Sequence, residues 1–151
     1  MRRSWLLVFL LVALAGCGGG QAEENKAIVR GYLTDILLHG DQGRWDDYFL
    51  DAVVFNGIEL TRDEMLRNAG LIRGAFPDFQ FIIEDQIAEG DKVVTRLTFL
   101  GTQNGDFMGI PANGNHVVYR GIALDRIIDG KVVEMWQEVD TWGMLQQMGV
   151  R

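Results

Sequence analysis

Near the end of the chain, two β-rich runs joined by an Asp-Gly pair precede a stretch with helical spacing. Asp129-Gly130 suits a two-residue type I′ turn, because both central positions of that turn need a positive φ. Counting outward from the turn predicts these strand pairs on one face of the sheet: Ile127/Val132, Asp125/Glu134, Ala123/Trp136, Gly121/Glu138 and Tyr119/Asp140. This face combines small residues with an aromatic ring and carboxylates, so we expect the pocket of the protein there.

The opposite face of the same hairpin is bulky and apolar. It is predicted to carry Ile122, Leu124, Val133, Met135 and Val139. Such a patch would be exposed in a monomer, so we expect a homodimer that buries this face of the sheet.

Helical spacing organises the first part of the chain. Apolar side chains predict a first helix over 23–38 with Tyr32 on its inner stripe, a short helix over 43–49 and a short strand over 51–56. Thr61-Arg62-Asp63-Glu64 is a capping box that opens a further helix, and Pro77 ends it.

A second hairpin is predicted from the runs 79–89 and 92–103 around Gly90-Asp91. Its expected pairs are Phe81/Leu100, Asp85/Arg96 and Ile87/Val94. Helices followed by long antiparallel strands indicate an α+β domain, with the helices packed on one face of a bent sheet.

Residues 1–16 are typical of a bacterial lipoprotein signal peptide. Arg2-Arg3 precede an apolar run, residues 5–15, that is too short to span a bilayer comfortably. Leu14-Ala15-Gly16-Cys17 then resembles a lipobox, and Cys17 is the only cysteine of the chain. We therefore predict a lipidated Cys17 with a flexible tether over 17–22, and a domain over 23–151 held at a membrane surface of the bacterial cell envelope. Without another cysteine, this domain has no internal disulfide.

Composition narrows the function classes further. A chain of 151 residues is long enough for one domain with a full core, and its formal charge of −7, without a Lys/Arg patch, argues against nucleic-acid binding. His39 and His116 stand alone at predicted element ends, and no group of ligating residues has metal-site spacing, so no metal is expected.

Several separated motifs resemble one family. AFPDFQF at 75–81, EGDKVVTRLTFLGTQNGDFMGIPANG at 89–114 and RGIALDRIIDGKVVEMWQEVDTWGMLQQMG at 120–149 look like the SnoaL-like polyketide cyclases and predicted ester cyclases. The resemblance covers the chain from about residue 24 to its end. It implies the cone-shaped α+β barrel of nuclear transport factor 2-like proteins, in which a curved sheet and helices enclose a deep pocket.

The resemblance also implies a chemistry. Members of known activity close a ring by intramolecular aldol condensation without metal or cofactor, using an aspartate near the end of the last strand, and Asp140 best matches it. The chain departs from family-like sequences in three places: TQNG at 102–105 where THTG is common, PANG at 111–114 where PPTG is common, and EMW at 134–136 where EHW is common. Two pocket-region histidines are thus missing, so the resemblance does not support histidine-dependent chemistry.

Each candidate site residue also has a structural interpretation. Asp140 directly precedes a helix, so its carboxylate either caps that helix or serves as the catalytic base. Glu138 is the alternative base, or an edge carboxylate that lies in solvent or pairs with an arginine. Trp136 would form the dry wall of the pocket, and Tyr32 would line it. Donors to a substrate oxygen would be Tyr119, unless it only packs, and Asn68, unless it is solvated.

Three functions therefore stay open. The first is a lipid-anchored, cofactor-independent enzyme that abstracts a proton next to the carbonyl of a small hydrophobic molecule. The second is a non-catalytic lipoprotein that binds such a molecule in the same pocket, because this fold also hosts binders without activity. The third is an interaction module that uses the apolar face of the sheet.

Overall fold

In the computed structural model, which describes residues 18–151, the main helices lie against one face of a curved sheet. Among these residues the α-helices are α1 Gly18–Tyr32, α2 Trp45–Tyr48, α3 Arg62–Ala75 and α4 Thr141–Gln147. The strands are β1 Phe49–Phe55, β2 Ile58–Thr61, β3 Gln80–Glu89, β4 Lys92–Thr102, β5 His116–Ile128 and β6 Lys131–Val139. A π-helical stretch, Leu33–Leu38, prolongs α1, and a 3-10 turn, Gln42–Arg44, precedes α2.

The six strands follow the order β2-β1-β6-β5-β4-β3 and form an open, curved sheet. β1 runs parallel to β6, whereas the other neighbours are antiparallel. The hydrophobic core fills the space between the concave side of this sheet and the helices, with Val29, Trp45, Leu97 and Val132 almost fully buried. The result is an α+β cone.

The ends of the helices follow their capping residues. Thr61 and Glu64 form the predicted capping box, because the Glu64 N–H donates to Thr61 Oγ1 and the Thr61 N–H donates to Glu64 Oε2. At the start of the described chain, residues 18–22 belong to α1, where the sequence predicted a flexible tether. Among residues 18–151 no helix combines the length and the apolarity that crossing a membrane requires. The predicted signal peptide and Cys17 lie outside the described residues.

The turn of the β5–β6 hairpin is as predicted, but the register beyond it is not. Asp129 and Gly130 both have positive φ, 49° and 76°, and Ile127 pairs with Val132. An irregularity between Arg126 and Ile127 then shifts the following pairs by one residue. The observed pairs are Asp125/Met135, Leu124/Trp136, Ala123/Gln137, Ile122/Glu138 and Gly121/Val139.

A shift of one residue turns the side chains of a strand to the opposite face. Asp125 and Ala123 face the interior, as the prediction for β5 required. On β6, however, Met135 and Gln137 face the interior, while Trp136 is 46% exposed on the outside. Met135 is therefore not part of the outer apolar face. That face does expose Ile122, and the homodimer predicted through it stays a prediction.

The remaining strands differ from prediction in two details. Asp85/Arg96 and Ile87/Val94 pair as expected, but Phe81 pairs with Phe99 because the register shifts between Ile83 and Asp85. The β1–β2 hairpin was not predicted, although Asn56-Gly57, with φ of 48° and 81°, carries the same turn signal as Asp129-Gly130.

Candidate ligand pocket

A mostly apolar pocket of about 160 Å³ lies between the concave side of the sheet and the helices. Its wall is formed by Tyr32, Leu33, Ile36, Leu37, Trp45, Phe49, Phe55, Met65, Asn68, Ala69, Ile72, Leu97, Ala123, Met135 and Gln137. Three polar side chains, Tyr32, Asn68 and Gln137, belong to this lining. A mostly apolar cavity with a few polar groups is the usual form of a small-molecule site.

The sheet side of the pocket follows from strand parity. Ala123 on β5 pairs with Thr95 on β4 and with Gln137 on β6, and side chains two apart on one strand share a face. Met135 and Leu97 extend the same wall. Because Ala123 is small, the wall leaves space where a larger residue would fill the cone.

The helical side of the pocket comes from α3 and from the π-helical stretch. Met65, Asn68, Ala69 and Ile72 lie at helical spacing on one side of α3 and line the cavity together. The backbone N–H of His39 donates to Thr34 O at 3.0 Å, the i to i−5 bond that defines a π-helix. This wider turn carries Ile36 and Leu37, which also line the pocket.

Arg73 joins these two helical segments. Its Nη1 donates to the carbonyl oxygens of Ile36 and Leu37, at 2.8 and 3.0 Å. The guanidinium thus satisfies carbonyls at a helix end that would otherwise lack partners and holds α3 beside the π-helical stretch.

Aromatic rings line one side of the cavity. The Tyr32 and Phe49 ring centroids are 5.1 Å apart, and Phe49 stacks on Trp45 at 4.4 Å. The Trp45 indole N–H donates to Leu50 O at 2.9 Å, which satisfies the polar edge of this buried ring. These contacts hold the Tyr32 ring in place.

Gln137 and Asn68 contribute side-chain amides to the pocket. The backbone of Gln137 is held on both sides by Asn56, whose Oδ1 accepts from Gln137 N at 2.8 Å and whose Nδ2 donates to Gln137 O at 3.2 Å. Among residues 18–151, neither the Gln137 nor the Asn68 side-chain amide has a hydrogen-bond partner. Asn68 is exposed and Gln137 is half-buried, so the Asn68 amide also reaches solvent, and both amides are free to bind a ligand oxygen or water.

The Tyr32 hydroxyl meets a buried carboxyl group behind the pocket. Tyr32 Oη and Asp125 Oδ1 are 3.0 Å apart, and Asp125 is 0% exposed. Its Oδ2 has no hydrogen-bond partner within the described part of the chain. Burial raises the pKa of the Asp125 carboxyl to about 7, against a smaller lowering by the hydrogen bond from Tyr32. Burial, and then the proximity of Asp125, raises the pKa of Tyr32 well above its usual value.

The structure brings only two of the predicted site residues, Tyr32 and Asn68, to the pocket lining. Trp136 lies on the outer face, where its indole N–H donates to Glu134 at 2.7 Å, and Glu138 is exposed on the same face. Tyr119 stacks on Phe99 at a centroid distance of 5.1 Å and is absent from the lining. Burial raises the pKa of Tyr119 to about 12.

Asp140 caps α4. Its Oδ1 accepts a hydrogen bond from the Gly143 N–H at 2.8 Å, and the close approach leaves no room for a Cβ at Gly143. The structural role of Asp140 predicted from its position before a helix is thus present in the structure. Its carboxylate is exposed and does not line the pocket.

Two of the positions where the chain departs from family-like sequences are buried. Met135 stands at the histidine of the EHW motif and lines the pocket beside Asp125, its strand partner. Gln103 stands at the histidine of THTG, and its Nε2 donates to Ile110 O and Pro111 O at 3.1 and 3.2 Å, which holds the loop 104–115 in place. Within residues 18–151 no three His, Cys, Asp or Glu side chains are grouped as metal ligands.

Sequence reasoning missed Gln137, Met135 and the role of Asp125. One signal for the correct face of β6 was available, because Glu134 and Glu138 flank Trp136 at a spacing of two residues. Two carboxylates on one face of a strand favour solvent on that side. The alternate residues Met135 and Gln137 then belong to the interior.

A model of the SnoaL-like polyketide cyclase family matches residues 27–148 of this chain. Among curated proteins the chain has no significant match. The family model covers most of the described structure and confirms the resemblance seen in the motifs.

Solved structures from Streptomyces are similar to this protein over nearly their whole length. AclR from Streptomyces galilaeus, a candidate hydroxylase, is 27% identical with a TM-score of 0.74, over 85% of this chain and 97% of that chain. IdmH from Streptomyces antibioticus, a candidate polyketide cyclase, is 26% identical with a TM-score of 0.73, over 83% and 99%. TsrD from Streptomyces laurentii is 26% identical with a TM-score of 0.76, over 84% and 96%. These similarities confirm the cone-shaped α+β fold.

Proposed function

Because the chain belongs to the SnoaL-like polyketide cyclase family, we propose that it binds a small hydrophobic carbonyl compound in the pocket between the sheet and α3. The observation that carries this proposal is the apolar cavity itself, with Tyr32, Asn68 and Gln137 as its polar lining. Apolar walls favour a ring or short hydrocarbon, and the hydroxyl and amides favour one oxygen on it.

The size of the cavity limits the part of the ligand that enters it. A cavity of roughly 150 Å³ lined by apolar side chains accommodates a benzene molecule, and the pocket here measures about 160 Å³. We infer that one ring of the ligand occupies the interior. A molecule with several rings would have to extend out of the pocket toward solvent.

Binding is the function that the geometry supports best. A catalytic version would abstract a proton next to the ligand carbonyl, without a cofactor. Asp140 and Glu138, proposed above as bases for that step, are both exposed and outside the pocket lining. The names of the relatives support no single reaction either, since AclR is a candidate hydroxylase and IdmH a candidate cyclase.

A pocket-filling variant tests the proposal with acetophenone, a single-ring ketone, as the probe. Ala69 lines the cavity from α3, so Ala69→Phe should fill it and abolish the saturation-transfer NMR signal of acetophenone. The matched control is Leu71→Phe on the same helix, because Leu71 is 60% exposed and absent from the lining. Equal binding by the wild type and by folded Ala69→Phe would place the ligand elsewhere and contradict the proposal.

We also propose that Cys17 is lipidated and holds the domain at a membrane surface of the cell envelope. The support comes from the sequence, in which Leu14-Ala15-Gly16-Cys17 resembles a lipobox and Cys17 is the only cysteine of the chain.

Replacing the cysteine tests this anchor. Cys17→Ala should release the protein from the membrane fraction or leave it as unprocessed precursor, with an unchanged circular dichroism spectrum. Membrane attachment and processing at wild-type levels in this variant would contradict the lipid anchor.

A further inference from the structure

Behind the pocket, the Tyr32–Asp125 pair contains a buried carboxyl group whose hydrogen-bonding capacity is only partly used. One Asp125 oxygen lies 3.0 Å from the Tyr32 hydroxyl, and the other has no partner within residues 18–151. Unpaired buried oxygens are rare in folded proteins, because each loses its hydrogen bonds to water without replacement. Packing alone therefore does not explain why this pair lies in the core.

The neighbours of Asp125 do not stabilise a negative charge. Its partners across the strands are Val93 on β4 and Met135 on β6, and both are uncharged. Thr95, the next inward-facing residue of β4, accepts a hydrogen bond from Gln86 Nε2 at 3.1 Å and donates none to Asp125. Among the described residues Tyr32 is the only titratable group that perturbs the Asp125 carboxyl. An ionised carboxylate would be costly here, whereas the neutral acid is not.

A hydroxyl and a carboxyl group at this separation can share their hydrogen bond in two directions. When Asp125 is a carboxylate, it can only accept, so the Tyr32 O–H donates to it and has no proton left for the pocket. When Asp125 is the neutral acid, its own O–H can donate to Tyr32 Oη. The Tyr32 O–H is then free to turn toward a ligand oxygen.

We propose that Tyr32 is the hydrogen-bond donor to the ligand carbonyl, and that Asp125 is a positioning residue whose protonation directs the Tyr32 hydroxyl toward the pocket. This inference rests on the proposed binding function and adds a pH-dependent control of ligand binding to the same site. No proton is transferred to the ligand, and only the direction of the shared hydrogen bond changes. We therefore expect ligands with a carbonyl oxygen to bind more tightly at low pH. The midpoint of this change in affinity should lie near the pKa of about 7 that burial gives Asp125.

The test compares acetophenone with α-methylstyrene, which has nearly the same shape but a methylene group in place of the carbonyl oxygen. Dissociation constants are measured by NMR titration at pH 5.5 and pH 8.5 for the wild type, Asp125→Asn and Tyr32→Phe. Loss of one neutral hydrogen bond corresponds to a change of about three- to tenfold. The wild type should therefore bind acetophenone about three- to tenfold more tightly at pH 5.5, and α-methylstyrene equally at both values.

The two variants separate a positioning role from a structural one. In Asp125→Asn the amide N–H₂ can donate to Tyr32 Oη at any pH, so acetophenone should bind with the low-pH affinity of the wild type at both values. In Tyr32→Phe the preference for low pH should disappear. Melting curves by circular dichroism at both pH values establish that each variant is folded.

A measurement on the wild type alone guards against variants that fail to fold. The ¹³C signal of the Asp125 side-chain carboxyl should titrate near pH 7, and a midpoint near the ordinary aspartate value would overturn the proposal. Acetophenone binding that does not depend on pH, or a pH dependence that survives in Asp125→Asn, would overturn it while leaving the pocket as a binding site. If neither compound binds at any pH, both the proposed binding function and the proposed role of Asp125 are contradicted.

Discussion

The pocket and the region around α4 treat their polar groups in different ways. Around α4, Gln147 exchanges hydrogen bonds with the backbone of Val118, and Asn113 and Asn115 donate to Met148 O and Gln147 O. At the pocket, the amides of Asn68 and Gln137 and one oxygen of Asp125 have no partner among the described residues. The amides of Asn113, Asn115 and Gln147 are thus bonded to backbone groups, whereas the amides of the pocket keep unused hydrogen-bonding capacity.

One aspartate in each region illustrates this difference. Asp140 is exposed and accepts the Gly143 N–H at 2.8 Å, as an N-cap does. Asp125 is fully buried and meets one hydroxyl. An aspartate side chain thus caps a helix at one site and lies buried behind an apolar cavity at the other. The surroundings decide which of the two can respond to a ligand or to pH.

The largest expected effect concerns Asp125 and the pH dependence of stability. Burial raises its folded pKa to about 7, above the unfolded value, so the folded state binds the extra proton between roughly pH 4 and pH 7. The stabilisation is complete below the unfolded pKa and is lost as pH rises through the folded pKa. Three pKa units correspond to about 4 kcal/mol of unfolding free energy at most.

Urea unfolding of the wild type and Asp125→Asn at pH 4.5, 6 and 8 measures this term. Because other carboxyl groups titrate in both proteins, the difference between them isolates Asp125. Relative to the wild type, Asp125→Asn should become more stable with each increase in pH. Two parallel stability curves would show that Asp125 is ionised throughout and remove the contrast with Asp140.

A smaller effect is expected at Arg73, the polar tie between α3 and the π-helical stretch. Arg73→Met keeps the aliphatic stem but removes the donor to Ile36 O and Leu37 O. Hydrogen bonds from a charged donor contribute about 1.5–3 kcal/mol, so the unfolding free energy should fall by about that amount. Acetophenone should also bind more weakly, since Ile36 and Leu37 line the pocket.

Arg67→Met is the matched control on the same helix, because Arg67 is exposed and makes no hydrogen bond within residues 18–151. Its stability should stay close to that of the wild type. Equal losses in both variants would mean that charge on α3, rather than the contact to the π-helical stretch, determines the effect.

The smallest effects are expected at Asp140. Asn caps a helix nearly as well as Asp, so Asp140→Asn should change stability by a few tenths of a kcal/mol, whereas Asp140→Ala should cost about 1 kcal/mol. Acetophenone binding should be unchanged in both variants, as thermal melts and NMR titration can check.

Solvent-deuterium exchange into the methyl group of bound acetophenone adds a test of catalysis. If the wild type catalyses exchange and folded Asp140→Asn loses it, Asp140 is the base and the contrast between the pocket and the region around α4 is wrong. Exchange at the wild-type rate in Asp140→Asn would remove Asp140 from the mechanism.

Local signals in the sequence determined most of the secondary structure. The capping box at Thr61, the turn at Asp129-Gly130 and the helical stripe that includes Tyr32 are all present. Each of these depends on residues only a few positions apart, so spacing and turn chemistry suffice to predict it. The motifs from residue 75 onward were enough to indicate the family and its cone-shaped fold.

The tertiary structure decided the register shift that sets the inward face of β6, although the spacing of Glu134 and Glu138 already favoured solvent on the other face. The bulge beside Ile127 moves Met135 and Gln137 inward and Trp136 outward, and it occurs where β6 lies between β5 and the parallel strand β1. The pairing of β6 with β1 joins residues about eighty positions apart in the sequence. Counting residues outward from the local turn takes no account of this pairing. The isolation of Asp125 has the same origin, because Tyr32, Val93 and Met135 come from three different elements. The burial of a residue and its hydrogen-bond partners are properties of the assembled core, and they are set only once those elements have packed together.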